Sequence, residues 1–297
     1  MESSKRYWES TCENLLKETR IILNEYLLSL KLELKAEATI SKYRKYLERF
    51  LRECSTPLDQ LTSEEVLTWL NQFSQDKKPK TIDLVFSALS SFFQYCLQEE
   101  YMENVLMKKR WKPKIPQSLP KYLNEQEVAR LKRAAENLSI RNRALILFLL
   151  STGCRESEVV NLTIQEVDVD KRTAIVEGKG KKIRHVHFSE ECGLVLKDYL
   201  RTRSGNKIEP LFLNKFGQAL GKNGIYLVTR KLGKQAGFTQ TLHPHVLRHT
   251  FATNMLARGA DLQFIADEMG HEDLNTTRIY ARIPTEDMIL KYQNIMG

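Results

Sequence analysis

Four separated stretches carry side chains suited to holding an anion or moving a proton. The first is Thr152-Gly153-Cys154-Arg155-Glu156-Ser157-Glu158. The planar guanidinium of Arg155 can offer paired donors to a phosphate, and Glu158, three residues on, can orient it. The second is Gly178-Lys179-Gly180-Lys181-Lys182, where Lys179 sits between glycines that let the backbone approach a ligand closely. The third is His243-Pro244-His245-Val246-Leu247-Arg248-His249. Pro244 suits the first turn of a helix, so His245 and Arg248 fall on one face. An imidazole beside a guanidinium suits an anion better than a metal. His245 and His249 at i and i+4 would also suit zinc, but the helical H-E-x-x-H pattern needs Glu where Val246 stands. The fourth is Met269-Gly270-His271, with Tyr280 nine residues after the histidine. Taken singly, each has an ordinary structural explanation: an Arg–Glu pair, a solvated hairpin tip, a packed tyrosine.

The chain that must position them has 297 residues, enough for about two domains. Lys and Arg number 46 against 37 acidic residues, a net charge of +9 that points weakly to a polyanionic partner. Five cysteines, Cys12, Cys54, Cys96, Cys154 and Cys192, are widely spaced with no C-x-x-C, which argues against a disulfide framework or a zinc ribbon and fits reduced thiols. No apolar run is long enough for a membrane span and the N-terminus lacks a signal-peptide core, so a cytoplasmic protein is expected. No G-x-x-x-x-G-K-[ST] loop occurs, so no ATP site is expected.

The first hundred residues read as helices. Tyr43, Tyr46, Leu47, Phe50 and Leu51 recur at helical spacing, with the basic Lys42, Arg44, Lys45 and Arg49 between them. Thr62-Ser63-Glu64-Glu65 is a capping box, and Thr81 reads as the cap of the next helix, after a break at Lys77–Lys80. Residues 108–121 hold Lys108, Lys109, Arg110 and Lys112 and three prolines, with no acid, and read as a basic linker between domains at 1–107 and 122–297. Beyond it, Asn124–Glu127 caps a helix, 141–151 is a buried apolar helix, and 173–176 and 183–188 are two short strands joined by the lysine-rich turn. Near the end, Met288, Ile289, Tyr292, Ile295 and Met296 form an apolar stripe at helical spacing.

In this order and at these separations, the four stretches resemble the catalytic set of the tyrosine recombinase (phage integrase) family: Arg in R-x-S-E, a hairpin Lys, H-x-x-R, G-H, then Tyr about nine residues on. Here these are Arg155 with Ser157 and Glu158, Lys179, His245 with Arg248, His271 and Tyr280. The text Leu247–Thr253 and the Leu119-Pro120 linker end are also similar to that family, and the resemblance runs from about residue 13 onward. It implies a mainly helical fold with a small β-hairpin sheet. An N-terminal SAM-like core-binding bundle and a C-terminal catalytic domain would close as a C-shaped clamp on DNA.

The resemblance also implies roles. Tyr280 would attack a DNA phosphodiester and give a 3′-phosphotyrosine. An unperturbed phenol is about one part in a thousand ionised at pH 7, a deficit of about 4 kcal/mol, so a base and positive charge are needed. His245 would be the base, Arg155 and Arg248 the clamp on the nonbridging oxygens, His271 a donor to the phosphate and Lys179 the acid for the leaving 5′-oxygen, with Glu158 supporting. No metal or other cofactor is implied. The partners implied are double-stranded DNA with an inverted-repeat core site, further copies of the chain in a tetramer working through a Holliday junction, and an accessory protein or DNA translocase. Lys42, Arg44, Lys45, Arg49, the linker cations, Lys181, Arg230 and Lys231 are candidate DNA contacts. The compact layout is similar to the Xer-type recombinases that resolve chromosome dimers and to simple integrases of mobile elements. Open alternatives are type IB topoisomerase relaxation, a catalytically silent DNA-binding protein of this fold, and a metal-dependent nuclease.

Overall fold

The computed structural model describes residues 6–115, 119–203, 209–271 and 273–282. The chain divides into two compact units, Met1–Gln117 and Ser118–Gly297. The apolar stripe from Met288 to Met296 lies outside the described residues.

The first unit is helical: α1 (Lys17–Leu32), α2 (Glu37–Glu53), α3 (Ser63–Ser74) and α4 (Pro79–Gln98). α1 and α2 both pack on α4. The core is aromatic, with Phe50 edge-on to Trp69 and Phe93 and Trp69 stacked on Phe73. Tyr26 is buried but satisfied, its hydroxyl bonded to Ser91 Oγ at 2.8 Å. The capping box expected at Thr62 forms, with Glu65 bonded back to the Thr62 N–H at 2.9 Å. Thr81 does not cap α4. That helix starts two residues earlier, with Pro79 in its first turn, because a missing N–H costs nothing where helix donors are unpartnered anyway. Contacts of this unit run on to Trp111, which packs on the aromatic core, and to Lys112, which pairs with Asp83 at 3.6 Å.

The second unit holds α5 (Glu125–Ala135), α6 (Ile140–Thr152), α7 (Glu156–Asn161), strands β1 (Val167–Asp168), β2 (Thr173–Glu177) and β3 (Ile183–His187), and then α8 (Glu190–Arg201) and α9 (Lys222–Gln235). They are followed by α10 (Pro244–Ala257), α11 (Leu262–Met269) and α12 (Leu274–Arg278). The strands form one antiparallel sheet in the order β1-β2-β3, with Ile175 opposite His185. β1 is two residues long, too short to leave a period in the sequence. The apolar helix α6 lies at the centre and packs against α8, α10 and β3. Its row from Ala144 to Leu149 is buried all round, as an unbroken apolar helix must be.

Local rules set where α6 and α10 end and begin. Gly153 ends α6 in the left-handed region at φ 60°, and a β-carbon there would come within 2.4 Å of Phe251. Arg155 therefore stands as the N-cap of α7, directly beyond the buried helix. Pro244 opens α10, which places His245, Arg248 and His249 on successive turns of one helix. Gly270, at φ 64°, ends α11 and turns the chain into His271.

Candidate active site

These helix ends converge on one cleft of about 700 Å³ in the second unit. Arg155, Lys182, Arg184, His245, Arg248, His249, Gly270, His271, Ile279 and Tyr280 line it. Of the residues singled out from the sequence, the structure brings together Arg155, His245, Arg248, His271 and Tyr280. Glu158 lies beneath them. Lys179 lies in the β2–β3 turn, a short 3-10 segment with Gly180 at φ 72°, and its side chain lies outside the described ones.

Both arginines are held by main-chain carbonyls at helix ends. Arg155 Nη2 donates to the Gly270 carbonyl at 3.1 Å, and its Nη1 donates to Glu158 Oε1 at 2.8 Å. Arg248 is 5% exposed; its Nη1 donates to the Gly153 carbonyl and its Nη2 to the Met269 carbonyl at 2.7 Å. Burial, and then the charge of Arg155, bring Arg248 down to about 10, so it stays a cation at neutral pH.

Glu158 is the buried anion that balances this charge. Arg184 from β3 meets it in a fork, Nη1 to Oε1 and Nη2 to Oε2, both at 2.9 Å, and its Nε donates to the Glu268 carbonyl at 2.9 Å. Burial pushes the Glu158 carboxyl up, but the bonds and charge of Arg184, with the bonds from Arg155, outweigh it and hold it below the usual carboxylate range. The sequence reading missed Arg184. Its only signal is a basic residue on the strand after the lysine turn, three residues past Lys181 and aimed at the core.

Tyr280 is 1% exposed and packs against Phe251, Ile265 and Met269. Its hydroxyl lies 2.8 Å from His249 Nδ1. His245, the expected base, is exposed at the cleft edge, and the phenol rests instead against His249, one turn further along α10. Burial pushes the phenol up to about 12, against the pull of Arg248 and Arg155. His249 is held down at about 4 by burial and by His245 and Arg248. His271 is likewise held at about 4 by burial and by Arg248, Arg155 and Arg184. Its Nε2 lies 2.9 Å from Arg248 Nη2 and its Nδ1 2.8 Å from Thr277 Oγ1.

The site is thus a cationic pocket with neutral imidazoles and a protonated phenol. It can hold an oxyanion between two guanidiniums and deliver a phenolic oxygen to it. Among the described residues, no three of His, Cys, Asp and Glu are placed to hold a metal ion.

The other basic residues fall elsewhere. Lys42 and Lys45 are exposed on α2, and Arg230 and Lys231 on α9. Arg44 is committed to structure: its Nη1 donates to the carbonyls of Arg6 at 3.0 Å and Glu9 at 2.8 Å, strapping the N-terminal segment to α2. Arg49 pairs with Glu53 at 2.9 Å and covers the Phe73 ring. Lys108 lies 5.8 Å over the Trp111 ring.

Residues 121–286 match the model of the phage integrase family, and residues 22–103 match that of the phage integrase N-terminal SAM-like domain. The chain belongs to the phage integrase family, the tyrosine-type site-specific DNA recombinases. It is 36% identical over 272 residues to tyrosine recombinase XerA of Pyrococcus horikoshii, covering 90% of each chain. It is 32% identical over 248 residues to tyrosine recombinase XerC of Lactobacillus delbrueckii subsp. bulgaricus, covering 79% of this chain and 83% of that one. The fold is also that of the XerH site-specific recombinase in a post-cleavage complex with its palindromic difH substrate, with a TM-score of 0.76 at 22% identity, over 97% of this chain and 91% of that one.

Proposed function

We propose that this recombinase cleaves and rejoins duplex DNA through a covalent 3′-phosphotyrosine on Tyr280. The observation that carries the reading is the convergence of the Tyr280 phenol, Arg155, Arg248 and His271 on one cleft. Arg155 and Arg248 take the nonbridging oxygens of the scissile phosphate, where charge builds in the transition state. His271 donates to the same phosphate. His245 takes the phenolic proton, and Lys179 supplies a proton to the leaving 5′-oxygen. Arg155 and Arg248 also lower the cost of ionising Tyr280 once the phenol swings toward the phosphate. The phosphodiester's energy is kept in the protein–DNA bond, so religation needs no nucleotide.

The partner is a duplex core site of two inverted half-sites, as the palindromic difH substrate is for XerH. Four copies act on two duplexes and exchange strands in pairs through a Holliday junction. The first unit grips DNA with Lys42 and Lys45, and Lys109, Arg110, Lys181, Arg230 and Lys231 add phosphate contacts. The identity with XerA and XerC favours chromosome-dimer resolution, with an accessory protein or DNA translocase, over mobile-element integration. Among the described residues no helix is long and apolar enough to cross a membrane, and the reading places the protein in the cytoplasm on the nucleoid.

A plasmid carrying two copies of the core site tests this. Deletion or inversion of the segment between them is expected. Relaxation of supercoils without exchange would mean a topoisomerase.

A further inference from the structure

The bonds around His271 fix which ring nitrogen carries its proton. A guanidinium has five N–H donors and no lone pair, so Arg248 Nη2 at 2.9 Å can only donate, and Nε2 must accept. The ring is neutral at neutral pH, because burial and the charges of Arg248, Arg155 and Arg184 hold it at about 4. Its one proton is therefore on Nδ1, where Thr277 Oγ1 accepts it at 2.8 Å. Thr277 is fully buried on α12, so water has no access to its side chain to take that place.

This arrangement bears on the phosphate. An Nε2 lone pair repels a phosphate oxygen, and an N–H attracts it. The cationic neighbours that oppose a second proton on the ring come from three elements: Arg248 on α10, Arg155 at the start of α7, and Arg184 on β3, with the neutral His249 beside Arg248. Asp267 and Asp273 line the same cleft. A bound phosphate cancels much of that positive field. With Nδ1–H already occupied by Thr277, Nε2 is the one ring position left to protonate, on a residue that lines the cleft beside Arg248.

We infer that Thr277 is a positioning residue for strand transfer: its hydroxyl fixes the Nδ1–H form of His271, so that Nε2 takes a proton from solvent as the phosphate binds and donates it to a nonbridging oxygen. Arg248 Nη2 then turns its hydrogen from Nε2 to the phosphate. The ring gains one proton, its charge is balanced by the phosphate, and Nδ1–H stays on Thr277 throughout. Such a partner on the far nitrogen sets ring orientation and basicity, as outer-shell acceptors do for other working histidines. The inference rests on the strand-transfer reading of the cleft.

Two measurements test it. In the free full-length chain, the nitrogen-15 shifts of the His271 imidazole at pH 7.5 should show a protonated Nδ1 and a bare Nε2. A protonated Nε2 in the free protein overturns the inference. Single-turnover adduct formation on a nicked duplex carries the second test. Thr277→Val keeps the shape and loses the acceptor. It should form adduct about tenfold more slowly, and the alkaline limb of its pH profile should move down by about one unit. Thr277→Ser should restore most of the rate and the limb. A Thr277→Val enzyme with the wild-type rate and limb overturns the inference while the recombinase reading stands. A wild-type chain that forms no adduct on its own core site counts against that reading instead, and the nitrogen-15 spectrum then decides the inference.

Discussion

The phenol of Tyr280 and the imidazole of His249 meet at 2.8 Å, with their rings tilted 54° to one another. Burial pushes the phenol up to about 12 and holds the imidazole down at about 4, so moving the proton from Tyr280 to His249 is uphill. In the free protein the pair therefore holds a protonated nucleophile. His249→Ala should remove the anchor and leave a buried hydroxyl unpartnered, costing about 1–2 kcal/mol of stability. It should also make Tyr280 reactive to tetranitromethane, where the wild-type residue is protected. Equal nitration of Tyr280 in both proteins would show that the contact holds nothing.

Among the described residues Glu158 is the one carboxylate bonded to both Arg155 and Arg184, and its side chain is 2% exposed. Removing its charge leaves two cations facing each other in a poorly solvated place. Glu158→Gln should destabilise the catalytic unit by about 3 kcal/mol, read from its urea midpoint. Arg184→Ala should cost a similar amount, and the double variant less than the sum, because the two residues share one interaction.

Acid should weaken the second unit in two stages. His249 and His271 have folded values depressed below their ordinary 6.5, so the unfolded chain takes up their protons first. Their contribution to stability is complete above pH 6.5 and is lost as pH falls toward 4. Glu158 is also depressed, and its contribution goes at still lower pH, below the ordinary carboxylate range. The melting temperature should fall between pH 6.5 and 4 in wild type. It should fall less in the His249→Phe/His271→Phe variant.

Basic residues on α2 should separate into two kinds. Lys42 and Lys45 are exposed, while Arg44 is spent on the carbonyls of Arg6 and Glu9. Removing Lys42 and Lys45 together should lower the slope of log affinity against log salt for core-site DNA by about 2, near 1 per phosphate contact. Arg44→Ala should leave that slope unchanged and expose the N-terminal segment to trypsin.

Local rules made the frame of the site legible before any coordinates. The capping boxes at Thr62 and Asn124, the proline start of α10, the glycine stop of α6 and the lysine turn between β2 and β3 all depend on residues a few positions apart. The spaced motifs likewise gave five residues that now line one cleft. What was not legible depends on distant contacts. Arg184 finds Glu158 across 26 positions and Tyr280 finds His249 across 31. Neither pair has a period or a cap to betray it. Thr277 looks like any helical threonine until His271 is seen against it. Arg44 read as a nucleic-acid contact because charge alone does not tell a free guanidinium from one bonded to carbonyls.

The central claim is that Tyr280 becomes covalently joined to DNA. A nicked suicide duplex carrying the core site, incubated with wild type and with Tyr280→Phe in EDTA, tests it on a denaturing gel. The expected result is a wild-type adduct that is absent from Tyr280→Phe, with the 3′-phosphate found on the Tyr280 peptide by mass spectrometry. An adduct that persists in Tyr280→Phe, or one mapped to another residue, would contradict the account.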